Sequence, residues 1–198
     1  MTIGSTLPSH HPAERQRALD RAFNYPYRRP RCSFIMVAGK FFELDATPEL
    51  ADYRNQKLHW KDLKVREFIV PDKAESNAST LQGDVYMDCV GVGPWMDLAS
   101  VAAQLNMPLT DVFHKRIPVL AIGSNAGLEQ LTRKFGNDAV IPVLMIRLED
   151  FDIAYCPTIS AYGSVPATIQ RAPGVHCDIA ITLLSEEQVG NMHKTEAG

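Results

Sequence analysis

Ile117-Pro118-Val119-Leu120-Ala121-Ile122-Gly123-Ser124-Asn125-Ala126-Gly127 is the stretch on which the reading of the fold turns. Its first half is a short apolar strand. Gly123-Ser124-Asn125 breaks that strand with small residues, and Gly127 to Phe135 (Gly-Leu-Glu-Gln-Leu-Thr-Arg-Lys-Phe) has the spacing of a short helix. A strand, a small-residue turn and a helix start make an anion-binding arrangement. Backbone N–H groups point outward at the turn, and Gly123 lets a ligand approach closely. Ser124 and Asn125 also have a plain structural use, capping the following helix through a side-chain oxygen.

Further along, Val140 to Ile146 is apolar and leads into Leu148-Glu149-Asp150-Phe151-Asp152-Ile153-Ala154. Next come Pro166-Ala167-Thr168-Ile169, then Ala172-Pro173-Gly174, then the alternating stretch His176 to Leu183. Ser185-Glu186-Glu187-Gln188 opens a helix as a capping box, with Glu196 near its far end.

Taken in order, these segments resemble the gamma-glutamylcyclotransferase family. That family opens with a strand ending in Tyr-Gly-Ser-Asn, and this sequence has Ile122-Gly123-Ser124-Asn125. The family's later motifs correspond to Leu148-Glu149-Asp150-Phe151, to Ala167-Thr168-Ile169 with Pro173-Gly174, and to Glu196-Ala197-Gly198. The resemblance covers residues 117–198, and no single motif in it is specific alone. It implies an α+β fold, a mixed β-barrel of the gamma-glutamylcyclotransferase type with flanking helices. The cyclotransferase-like domain is then 116–198, and 1–115 is an N-terminal extension of helix, hairpin and strands.

The resemblance also implies an enzyme that needs no cofactor and no metal. The α-amine of a γ-glutamyl compound attacks its own γ-carbonyl, releasing 5-oxoproline and a free amine or amino acid. The attacking amine must lose a proton and the leaving nitrogen must gain one. One partly buried carboxylate can do both in turn when its pKa is raised toward neutrality. Glu196 matches the family's Glu and takes that catalytic role. Ala121, Ile122, Gly123, Ser124 and Asn125 form the substrate cradle, with backbone N–H groups on the substrate's oxygens. Tyr162-Gly163-Ser164 repeats part of the signature. It follows Pro157-Thr158-Ile159-Ser160 rather than an apolar strand, so it reads as a turn.

Ile122 stands where the family has Tyr, and the family's barrel continues past the Glu. Two expectations follow. Either the sequence is a fragment, or upstream strands occupy the missing places in a permuted barrel. An inactive small-molecule-binding or interaction module of the same fold is the alternative to an enzyme.

Upstream, Ser33–Val37 and Phe41–Leu44 flank Ala38-Gly39-Lys40 and predict a hairpin. Leu63–Val70 and Val85–Val92 predict strands, the first ended by Pro71. Pro12–Phe23 and Trp95–Leu105 predict helices, Ala46–Trp60 contains a short one, and Asp72–Gly83 reads as a loop. Gly91-Val92-Gly93-Pro94 lacks the third Gly of a dinucleotide loop, since Met96 holds that position, and reads as a turn. Arg28, Arg29 and Arg31 read as a solvated surface strip, with anion binding the sharper alternative. Leu98–Phe113 carries a short helix-turn-helix spacing with Asn106 at the turn and Lys115-Arg116 beyond it. That makes DNA binding a third functional class.

The composition bounds these readings. The 198 residues are 45% hydrophobic and 22% charged, enough to bury a core. Twenty Lys+Arg against 23 Asp+Glu give a net charge of −3, which argues against bulk phosphate binding and so against a nucleic-acid partner. No apolar run approaches the roughly 18 residues of a membrane span, and residues 1–11 lack the apolar core of a signal peptide. The expectation is a cytoplasmic protein with a small-molecule γ-glutamyl substrate and no membrane partner. Cys32, Cys89, Cys156 and Cys177 then stay reduced, and Asn77-Ala78-Ser79 carries no glycan. Neither the cysteines nor the six histidines show metal-ligand spacing.

Overall fold

Phe34-Ile35-Met36-Val37 is an unbroken apolar run, and such a run is stable as a strand only if both faces are covered. The computed structural model describes residues 29–45, 63–69, 86–108, 112–113, 115–159 and 165–196, with Pro12, Ala13 and Gln16. In it this run is β2 (Phe34–Val37), and all four residues are buried. A short β1 (Arg29–Pro30) precedes it. β3 (Lys40–Leu44) and β4 (Lys64–Ile69) follow, then β5 (Tyr86–Met87), β6 (Val90–Gly91) and β7 (Met96–Asp97). Helix α1 (Leu98–Gln104) leads to β8 (Ile117–Ala121), a 3-10 turn at Ser124–Ala126, and α2 (Leu128–Phe135). The long strands β9 (Ile141–Tyr155) and β10 (Ala167–Leu184) and helix α3 (Glu186–Glu196) complete the order.

The architecture is α+β. One eight-stranded, antiparallel sheet runs β6-β4-β3-β2-β9-β10-β8, with β7 beside β4, and β6 and β8 are its ends among the described residues. A separate two-stranded parallel pair joins β1 to β5. The sheet crosses the 115/116 division, because β2 pairs with β9 through Phe34↔Val143 and Ile35↔Pro142.

Alternation along the strands separates two cores. Phe34, Met36, Ile141, Val143, Ala180 and Leu184 face Leu128 and Leu131 of α2 and Met192 of α3. Ile35, Val37, Leu144 and Leu183 face Leu98 and Val101 of α1 and Val112. Phe34, Phe41 and Phe68 meet at ring centroids of 6.0 to 6.2 Å, edge-on or tilted, an arrangement aromatic quadrupoles favour. Thr182 is fully buried, and its hydroxyl donates to the Val119 carbonyl at 3.2 Å. Pro118 sits in β8, an end strand, where a missing N–H does least harm.

Local signals in the sequence account for the element ends. The β2–β3 turn is Ala38 (φ 50°) and Gly39 (φ 70°), two positive angles as a type I′ turn requires. Helix α1 ends in a Schellman motif. Asn106 takes φ 51°, its amide donates to the Ala103 carbonyl, and the Met107 amide donates to Ala102. The capping box at α3 is reciprocal. The Gln188 amide donates to Ser185 Oγ at 3.2 Å, and the Ser185 amide donates to Gln188 Oε1 at 2.8 Å.

Three expectations need adjustment. Val85–Val92 is two short strands, β5 and β6, which join different sheets. The segments expected on either side of Ala172-Pro173-Gly174 form one strand, β10. It absorbs the Pro and Gly in a bulge between Arg171↔Phe151 and His176↔Glu149. The Gly174 amide (φ 78°) donates there to Asp150 Oδ1 at 2.9 Å. Arg116, placed by the helix-turn-helix spacing among the DNA-facing residues, is half-buried and donates to the Val140 carbonyl at 3.0 Å and Gln188 Oε1 at 2.9 Å. It ties α3 to the chain entering β9. The expected features at 17–28, 46–60, 72–83, 109–111 and 160–164, with Tyr162-Gly163-Ser164, lie outside the described residues.

Ala38 pays a steric penalty of about 1–2 kcal/mol for its left-handed backbone, against about 0.5–1 kcal/mol of extra chain entropy for glycine. Ala38→Gly is therefore expected to raise stability by about 0.5–1 kcal/mol, read as a higher urea midpoint at unchanged slope. A lower midpoint would contradict the type I′ assignment.

Candidate functional site at the Gly123 turn

The turn singled out by the sequence forms at the C-terminal end of β8. Ala121, the last strand residue, is fully buried. Ile122, Gly123, Ser124 and Asn125 are half-buried and carry the chain into the 3-10 turn. Gly127, Leu131 and Gly136 donate backbone hydrogen bonds to Ser124, Gly127 and Thr132. That series winds the chain directly from the turn into α2. Leu128 and Leu131 bury one side of α2 against the sheet, and Glu129 and Arg133 stay exposed.

Neither capping reading holds. Gly127 is the N-cap of α2 and Gly123 that of the 3-10 turn, and neither helix start has a side-chain cap. Asn125 Oδ1 instead accepts a hydrogen bond from Lys134 Nζ at 2.9 Å. Lys134 Nζ also lies 3.2 Å from Met192 Sδ on α3. The turn, the last helical turn of α2 and the middle of α3 are thus held together by one ammonium group.

Arg29 corrects the surface-strip reading. It is only 6% exposed, and its Nη1 reaches the carbonyls of Ala121 and Ile122 at 3.4 Å each. β1 places this guanidinium against the strand end that precedes Gly123. Arg31, two residues on, points outward and pairs with Asp88 at 3.5 Å. The signal available in the sequence was Pro30. Proline favours an extended path on either side, so Arg29 and Arg31 lie on the same face of an ideal strand. Their divergence depends on the β1–β5 pair.

Glu196 is the last residue of α3, whose Met192 is packed in the core with α2. It lies one helical turn beyond Met192, the residue that meets Lys134. Its side chain is outside the described residues. Among the described residues, Arg29 and Lys134 are charged groups that touch the turn segment. A planar guanidinium and an ammonium are cations of the kind that pair with a carboxylate. No group of three or more His, Cys, Asp or Glu is placed to hold a metal ion among the described residues.

Removing Arg29 takes a donor from one buried and one half-buried carbonyl, at a cost of about 1–3 kcal/mol. Arg29→Gln should lower the urea midpoint accordingly, and Arg29→Lys should recover part of the loss. An unchanged midpoint in Arg29→Gln would mean that the guanidinium does not hold the strand end. Comparison of the chain with protein-family models, with curated proteins and with solved structures gives no match.

Proposed function

We propose that the chain binds a γ-glutamyl compound at the Gly123 turn and cyclises it to 5-oxoproline, releasing an amine or amino acid. The observation that carries this reading is the turn itself. A strand ends in Gly123-Ser124-Asn125 beside two cations, Arg29 and Lys134. In this reading the free carboxylate of the glutamyl group is drawn to the turn, and its γ-carbonyl oxygen takes backbone N–H donors at Gly123 and Ser124.

The α-amine then lies within the same molecule as the carbonyl it attacks. The new C–N bond closes a five-membered ring, and the old amide C–N bond breaks. Because both partners are one molecule, orientation supplies much of the rate. Glu196 accepts the proton from the attacking amine and returns it to the departing nitrogen. The reading includes the finer fold assignment, a mixed β-barrel of the gamma-glutamylcyclotransferase type, and uses no metal and no cofactor.

Ile122 favours a second reading, a binding module that holds such ligands without turning them over. The family's Tyr contributes a hydroxyl and a ring at this place, and Ile122 contributes only apolar surface.

The two readings separate in one assay. Incubation with glutathione, γ-glutamyl dipeptides and γ-glutamyl amines should release 5-oxoproline, and Glu196→Gln should lower the rate by about 10²–10⁴-fold at unchanged stability. Ligand binding without product supports the binding module. Full activity in Glu196→Gln removes the acid/base role.

A further inference from the structure

Cys32 and Cys89 are brought together by the small parallel pair rather than by the main sheet. The register of β1 on β5 is Arg29↔Tyr86 and Pro30↔Met87. The same offset takes Arg31 to Asp88, whose side chains form an ion pair, and takes Cys32 to Cys89. The Arg31 amide donates to the Met87 carbonyl at 3.1 Å, so the pairing continues past the strand ends. The two thiols are near enough to shift each other's pKa, Cys32 upward and Cys89 downward. Neighbouring strands lie about 4.8 Å apart, inside the roughly 4.4–6.8 Å between Cα atoms that a disulfide bridges. Both side chains are half-buried against the core that holds Phe34 and Phe68. The other two cysteines have no such neighbour in register. Cys177 pairs with Leu148, and the Cys156 amide donates to the Pro166 carbonyl.

We propose that Cys32 and Cys89 form a dithiol oxidation site that takes a hydroperoxide, with Cys89 as the attacking thiolate and Cys32 as the resolving thiol. The division of labour follows the opposite shifts of the two thiols. The neighbouring Cys32 thiol holds the Cys89 pKa below the ordinary thiol value, with the Cys32 and Arg31 amides adding to the effect. Burial and the Glu43 carboxylate oppose this. Cys32 is shifted upward by the neighbouring Cys89, by burial and by the negative charges of Cys89 and Glu43, so it keeps its proton. Glu43 is itself engaged by Arg66 Nη2 at 2.7 Å, and that guanidinium lies 4.7 Å from the centre of the Trp95 ring.

In the first step Cys89 sulfur attacks the terminal peroxide oxygen. An S–O bond forms and the O–O bond breaks. Cys89 becomes a sulfenic acid, and the peroxide leaves as an alcohol or water after taking a proton. Cys32 sulfur then attacks Cys89 sulfur, loses its proton and displaces water. The two thiols give up two electrons and two protons, and the peroxide accepts them. A dithiol reductant reverses the bond by exchange. The bond would clasp β1 to β5 and so fix the strand that carries Arg29. The proposal stands whether or not the Gly123 turn is a cyclotransferase site.

The test is peptide mapping of the full chain after a brief exposure to dilute hydrogen peroxide, with free thiols blocked on denaturation. The expected product is a Cys32–Cys89 linked peptide that disappears on reduction, with Cys156 and Cys177 still alkylated. Before oxidation, iodoacetamide at neutral pH should modify Cys89 at least about tenfold faster than Cys177, whose pKa is raised chiefly by burial. In Cys32→Ser, a dimedone adduct should accumulate on Cys89. Oxidation spread evenly over the four cysteines, or a Cys32 more reactive than Cys89, would overturn the proposal.

Discussion

Burial of β2 on both faces and along both edges is the constraint on which the rest of the fold depends. Phe34 and Met36 enter one core, Ile35 and Val37 the other, and the strand pairs with β3 on one side and β9 on the other. Ser33, the residue before it, is also buried. Its hydroxyl accepts the Met145 amide at 3.0 Å, and its carbonyl accepts the Leu44 amide at 2.8 Å. The N-terminal strands are therefore part of the sheet that the C-terminal hairpin builds. Truncating a fully buried phenylalanine costs about 3–5 kcal/mol, a large share of a domain's stability, so Phe34 leaves little tolerance.

The placement of the site follows from the same strand. The chain leading into β2 is β1, which sets Arg29 against Ala121 and Ile122 at the end of β8. Cys32 lies between Arg29 and the buried strand, which is why the thiol pair and the Gly123 turn are attached to one short segment. On the other side, packing of α2 and α3 against the core brings Lys134 to Asn125 and Met192.

Much of this was legible in the residues. The Ala38-Gly39 turn, the strands about Val65 and Val119, and the reciprocal contacts of Ser185 and Gln188 are local signals, and local signals survive without tertiary context. The strand–turn–helix at 117–135 was readable for the same reason. Long-range pairing was not. Arg29 and Arg31 look alike in the sequence, yet one is buried and the other faces outward, because only β5 decides between them. The Cys32–Cys89 contact has the same origin. Pro173-Gly174 misled in the opposite way. It punctuates the sequence strongly, but the strand accommodates it as a bulge with Asp150 satisfying the Gly174 amide. A closed barrel is a property of strand closure that no motif here encodes.

The most direct measurement of the central claim is a titration of the isotope-labelled chain with a γ-glutamyl compound, followed by backbone amide resonances. The account predicts saturable shifts concentrated at Gly123, Ser124 and Asn125, with smaller ones about Arg29 and Lys134. Shifts confined to another surface, or none at ligand concentrations well above the millimolar range, would contradict it.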